Sequence, residues 1–146
     1  MQIVPDVVQP QKLASVAPEV MAVDAARLMA DRRIGAILVV SGDRMIGIIT
    51  ERDIAFKVVA GGLDPRSTPV SAVMTKDPQT IGPHAHPLAA LELMQNGRFR
   101  HLPVFDDGAV IGIVSIRDLY HAVKQELEEA LLEREAFISG GSEDDD

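Results

Sequence analysis

Apolar residues recur at helical spacing at Val20, Val23, Ala26 and Met29, and again at Leu88, Leu91 and Met94. A stripe with this period predicts an amphipathic helix of about ten residues at each place, entered in both cases past a proline. Each helix gives way to an unbroken apolar run, Ile34 to Val40 or Leu102 to Phe105, of the kind that fits a buried strand. Polar turns, Ser41 to Asp43 and Asp106 to Gly108, then lead into Met45 to Ile49 and Val110 to Val114, which read as the second strands of two hairpins. A short extended segment precedes each helix, at Ala14 to Ala17 and Gln79 to Gly82, and a further helix starts at Thr50 or Ser115. The order is strand, helix, strand, strand, helix, stated twice, with Gly61 to Pro69 punctuating the joint.

The two halves match residue for residue. Gly47 to Asp53 (GIITERD) recurs as Gly112 to Asp118 (GIVSIRD), an offset of 65. At that offset Pro18 pairs with Pro83, Ala25 with Ala90, Met29 with Met94, Arg33 with Arg98, Val39 with Val104 and Val58 with Val123. The register holds without a gap from about Ser15 to Val58, which makes the chain two copies of one unit. Function is then expected where the copies face each other.

Composition narrows the function classes. With 146 residues and 47% apolar content the chain can bury one shared core. The formal charge of -8 is concentrated at the C-terminus: Met1 to Val123 holds twelve Lys and Arg against thirteen Asp and Glu. Three per cent aromatics and no basic stripe argue against nucleic acid as a partner. The absence of cysteine removes disulfides, thiolate nucleophiles and Cys-based zinc sites. The first residues lack the character of a signal peptide, and no apolar run approaches the roughly 20 residues of a membrane span, so a cytoplasmic location and no membrane partner are expected.

Beyond the second copy, Val123, Leu127, Leu131 and Ile138, with Ala130 and Phe137 alongside, mark a further helical stripe over 124–138. Such a helix wants a partner, either its own module or a second chain, and a homodimer is the expectation because a helix this short is marginal alone. The segment 139–146, ending in Glu143 to Asp146, reads as a disordered acidic tail.

The chain resembles a tandem pair of CBS domains, or Bateman module. The resemblance rests on Val73-Met74-Thr75 with Pro78 and Ile81, on Arg100 to Val104, and on the two Gly, apolar, x, Ser/Thr, x, x, Asp stretches, and it covers about Val8 to Val123. It implies an α/β (α+β) fold of two units, 8–62 and 70–123, related by a pseudo-twofold axis, with two clefts between them that commonly take adenosine-containing ligands. It implies no catalysis, and no catalytic residue or catalytic cofactor is assigned. The aspartate motifs have two readings. Thr50 with Asp53, and Ser115 with Asp118, fit a helix capping box that binds nothing. The same carboxylates could instead accept the two hydroxyls of a ribose diol, with the helix N-terminus favouring a phosphate.

Carried over by position, the family's contacts assign one cleft to Ile48, Thr50 and Asp53 with Pro78, Gln79, Phe99, Arg100, His101 and Arg117. The other comprises Ile113, Ser115 and Asp118 with Leu13, Ala14, Ile34, Gly35, Ala36 and Arg52. Because Gly35 and Ala36 stand where the other copy has Arg100 and His101, the Asp53 cleft is expected to be the better nucleotide site. An adenine nucleotide (AMP, ADP or ATP) is the expected ligand and regulatory signalling the expected role, with S-adenosylmethionine or NAD as other adenosyl candidates. A ligand-free scaffold for an unknown protein partner is the alternative of a different class. His84 and His86 read as a solvated loop, no metal site is assigned, and Arg32, Arg33 and Arg98 read as cations complementing helix C-termini.

Overall fold

The computed structural model describes residues 1–144. In the first unit β1 (Ser15–Val16), α1 (Ala22–Arg32), β2 (Ala36–Ser41) and β3 (Arg44–Thr50) lead into the short helix α2 (Glu51–Asp53), which widens into a π-helical stretch over Ile54–Val59. After β4 (Thr75–Lys76) the second unit repeats the order with α3 (Pro87–Gly97), β5 (His101–Asp106), β6 (Ala109–Ser115) and α4 (Ile116–Asp144). The architecture is the mixed α/β arrangement expected, strand and helix alike falling within a few residues of the pattern. The segment expected to be the second unit's first strand is reduced to a single parallel bridge, Ile81 to Val104, the equivalent of the Val16 to Val39 pair between β1 and β2.

Details recur at the repeat offset. Both hairpins are antiparallel and both carry a bulge at the same place, between Val39 and Val40 and between Val104 and Phe105. Both first helices close on an arginine in the left-handed region, Arg33 at φ 54° and Arg98 at φ 57°. The α3 start is capped by His86, whose Nδ1 accepts from the Leu88 amide at 3.1 Å, with Pro87 at the first helical position. His84 pairs instead with Gln2, Nδ1 to Oε1 at 2.9 Å.

The units exchange the segments that lead into them. Val70 and Val73 precede the second unit but are buried in the first unit's core, with Ala22, Ala25, Met29, Ile37, Val39, Ile49 and Val58. Ile3 precedes the first unit but is fully buried in the second, among Ala90, Met94, Leu102, Val104, Val114 and Leu119. Backbone bonds tie down both crossings. The Val70 amide donates to the Val20 carbonyl at 2.8 Å, and the Ile3 and Val4 amides donate to Ala85 and Pro83 at 3.0 and 2.9 Å. Farther along, β4 pairs antiparallel with β3, Ile48 opposite Thr75, while the Gln11 amide reaches the Ile111 carbonyl on β6 at 3.1 Å. Neither unit has a complete core without residues from the other's side of the sequence.

The C-terminal helix is no separate element. α4 starts at the second unit's own helix and runs on through the predicted 124–138 segment as far as Asp144. The expected tail over 139–146 therefore has helical backbone to Asp144, and Asp145 and Asp146 lie outside the described residues. Leu127, Leu131, Leu132 and Phe137 remain 59–80% exposed along this helix. Among the described residues no helix is long and apolar enough to cross a membrane.

Because Ile3 is fully enclosed in the second core, Ile3→Ala should lower stability by about 2 to 5 kcal/mol, as expected for a large-to-small core change. Urea unfolding followed by circular dichroism measures this directly. An unchanged midpoint would show that the crossing segment contributes nothing to the second core.

Candidate functional site

Hairpin register decides which side chains meet. β5 pairs with β6 so that His101 stands opposite Ser115, three residues before Asp118. The start of one strand is thereby fixed beside the end of its partner, and Arg100 and His101 are held next to the aspartate of their own copy. The Ile116 amide donates to the Arg100 carbonyl at 2.8 Å, just as the Glu51 amide donates to Gly35 at 3.0 Å in the first unit. Across the pseudo-twofold axis, Gly35 faces this corner: a Cβ built on it would lie 3.2 Å from both His101 Nε2 and Glu51 Oε1. The missing side chain at Gly35 is what makes room for His101.

These groups open onto a cavity of about 1010 Å³. Its walls include Leu13, Ala14, Ile34, Gly35, Ala36, Ile113, Ser115 and Asp118, all assigned to one cleft by sequence. Arg100, His101 and Arg117, assigned to the other cleft, line this one too. Arg52, expected here, does not. Its guanidinium sits over the Phe56 ring, 4.9 Å from the centroid, and faces a smaller cavity of about 620 Å³. Arg52 and Arg117 have thus changed places relative to expectation, because each stays on the helix start of its own copy. The expected advantage of the Asp53 cleft rested on Arg100 and His101 belonging to it; His101 lines only the Asp118 cavity, and Arg100 borders both spaces.

Several lining residues escaped the sequence reading. Lys12, Arg32, Arg33 and Glu51 join the wall. Arg33 both ends α1 and borders the cavity, so its helix-terminal role hid its second one. Lys12, Arg32, Arg33, Arg100 and Arg117 face only two carboxylates, Glu51 and Asp118, which leaves the cavity suited to an anion. The apolar share of the wall, including Leu13, Ile34, Met29 and Ile113, offers contact for a flat ring.

Asp118 is exposed and only partly engaged. Its Oδ2 accepts from the Ser115 amide at 3.1 Å and its own amide donates to Ser115 Oγ at 3.1 Å, a reciprocal cap on the first turn of α4. Oδ1 has no hydrogen bond or ion pair among the described residues. His101 beside it has its pKa pushed below the usual imidazole value, chiefly because burial penalises the charged ring. Glu51 and Asp118 oppose that shift and Arg100 adds to it.

The Asp53 side is built differently. Asp53 is buried, its Oδ2 accepting from the Thr50 amide at 2.9 Å and from Thr50 Oγ1 at 3.0 Å, while its own amide donates to Thr50 Oγ1 at 3.2 Å. Its second oxygen is held by Lys57 Nζ at 2.9 Å. The smaller cavity takes in Phe99, Arg100 and Arg52 but stops short of Ile48, Thr50, Asp53, Pro78 and Gln79, which border neither space. Among the described residues no three His, Cys, Asp or Glu side chains gather into a metal site.

Comparison with known proteins agrees with this architecture. The CBS domain family matches twice, over residues 5–60 and 70–125. The mitochondrial CBS domain-containing protein CBSX3 of Arabidopsis thaliana is 40% identical over 123 residues, 81% of this chain and 60% of that protein. The chain spans only 19% of another plant relative, CBSCBSPB2, at 42% identity over 70% of its own length. Among solved structures, a protein with CBS domains from Burkholderia ambifaria superposes with a TM-score of 0.80 at 36% identity, covering 84% of this chain and 93% of that one. A CBS domain protein from Pyrobaculum aerophilum, solved in complex with AMP, shares the fold at 24% identity and a TM-score of 0.71, over 81% and 89% of the two chains. With two matched units that exchange their lead-in segments and enclose a cleft between them, the chain belongs to the CBS domain family as a tandem pair.

Proposed function

We propose that this CBS pair is a ligand-sensing regulatory module whose Asp118 cavity takes an adenine nucleotide. The observation that carries the reading is a free carboxylate oxygen at a helix start inside a cation-rich cavity. Asp118 Oδ1 can accept from a ribose 2',3'-diol, the apolar wall can hold the base, and Arg100, Arg117 and the helix N-terminus can meet phosphate. His101 would take up a proton as phosphate arrives, since a nearby anion favours the charged ring that burial disfavours. The AMP complex of the same fold from Pyrobaculum supports the ligand class. No catalytic step is included in the proposal.

A homodimer through α4 is the proposed route by which occupancy is reported. Leu127, Leu131, Leu132 and Phe137 leave an apolar strip uncovered on a helix that begins at the site's own Ser115 cap. A ligand that tightens this cap reorients the strip.

Asp118→Asn should weaken AMP and ATP by about 3 kcal/mol or more, over a hundredfold in Kd, because two hydrogen bonds to a charged acceptor are lost. Isothermal calorimetry reads this, and unchanged affinity would refute the ribose contact. A chain cut after Lys124 should lose self-association in light scattering while still binding nucleotide; an unchanged oligomer would move the interface elsewhere.

The sign of the pH dependence follows from the lowered pKa of His101. The folded state holds the neutral ring, so this contribution to stability is complete above the unfolded value of about 6.5 and is lost as pH falls through 6.5 toward the lower folded value. The urea midpoint of the ligand-free protein should therefore drop between pH 7.5 and pH 5.5 by more than that of His101→Gln. Parallel curves for the two proteins would show that His101 does not titrate in a buried setting.

A further inference from the structure

The two aspartate motifs are alike in sequence and opposite in state, and two residues account for the difference. Four residues after Asp53 comes Lys57; four after Asp118 comes Ala122. Lys57 Nζ lies 2.9 Å from Asp53 Oδ1 and also donates to the Val73 carbonyl at 2.9 Å, so one ammonium ties the carboxylate to the crossing segment. Lysine four residues C-terminal to an acid is the favourable orientation on a helix; the Asp53 end of the pair is buried, while the Lys57 side chain stays 46% exposed.

The second residue is Met74. Its Sδ lies against Gly47 so closely that a Cβ there would come within 2.5 Å of it, and the Thr75 carbonyl would be 2.9 Å away. At the equivalent glycine, Gly112, the nearest atoms are Val8 Cγ2 at 3.8 Å and the Gln9 carbonyl at 3.9 Å. Gln9 is the residue that corresponds to Met74 at the repeat offset. Both glycines are buried, but the first is pressed by a thioether while the second has Val8 and Gln9 only at ordinary contact distance.

We infer that Lys57 and Met74 act as a built-in occupant of the Asp53 cleft, closing it to nucleosides, so that the chain binds one nucleotide, at Asp118. Lys57 is the specificity-determining cation, giving the carboxylate the partner a ribose diol would otherwise supply. Met74 is a positioning residue that seats the crossing segment over Gly47. The inference rests on the Asp118 cavity being the nucleotide site, and it adds which cleft is closed and what closes it.

The test is to give the first copy the second copy's residues. Calorimetry with AMP and with ATP on the full chain should find one site per chain in the wild type, abolished by Asp118→Asn. The graft Lys57→Ala with Met74→Gln should bind two, one of which survives Asp118→Asn. Lys57→Met, which keeps the aliphatic stem, and Met74→Gln alone guard against a graft that fails to fold; at least one should show a second, weaker site. Two sites in the wild type, or one site in every folded first-copy variant, would overturn the closure while leaving the nucleotide reading intact. Failure of AMP and ATP to bind any of these proteins would overturn the nucleotide reading itself, and the closure with it.

Discussion

Exchange of the lead-in segments is the constraint on which the rest of this molecule depends. Ile3 fills the second core and Val70 and Val73 fill the first, so that the hydrophobic burial stabilising each unit is realised only when both are assembled. A separate unit would leave a core position empty and a β edge unpaired, because β4 and the Gln11 segment cover the outer strands of opposite hairpins. The clefts follow from the same crossing. Lys12, Leu13 and Ala14 reach the second unit's cavity because the chain must pass over β6 before entering its own first strand.

Duplication alone would make two equal sites, and the crossing segments prevent it. The first unit receives Val73-Met74 over Gly47 and the second receives Val8-Gln9 over Gly112. One glycine is packed under a thioether and the other sits at ordinary contact distance. Electrostatics deepens the difference: Asp53 is buried against Lys57, whereas Asp118 is exposed among five cations of which none is paired to it within salt-bridge distance. A carboxylate already satisfied must give up its Thr50 and Lys57 partners to bind anything else, although the half-exposed Lys57 leaves the ion pair partly screened. A carboxylate with an open oxygen carries no such penalty.

His101 shows how the two copies complement each other at the axis. Its position in the repeat corresponds to Ala36, and the absence of side chain at Gly35 lets its ring settle against the other unit beside Glu51. The small residues of one copy and the large ones of the other are parts of one packing solution. Burial at this corner lowers the pKa of the ring, with Glu51 and Asp118 opposing the shift.

Local periodicity and the offset of 65 determined the element order, both hairpins, the tandem family membership and the two aspartate caps, because these depend on contacts within a few residues or on strict repetition. The partition of residues between clefts was partly legible as well: turns at Ser41 to Asp43 and Asp106 to Gly108 set a register that puts His101 opposite Ser115. Counting back from the turn would have placed Arg100 and His101 with Asp118. What no local pattern carried was the exchange of Ile3 and Val70 and the double duty of Arg33 as helix end and cavity wall. The Lys57 to Asp53 pair follows from i,i+4 spacing, but the burial of Asp53 and the packing of Met74 on Gly47 do not. Both arise only when a crossing segment brings Val73, Met74 and Gly47 together, and contacts between residues far apart in the chain are decided by how the whole core closes.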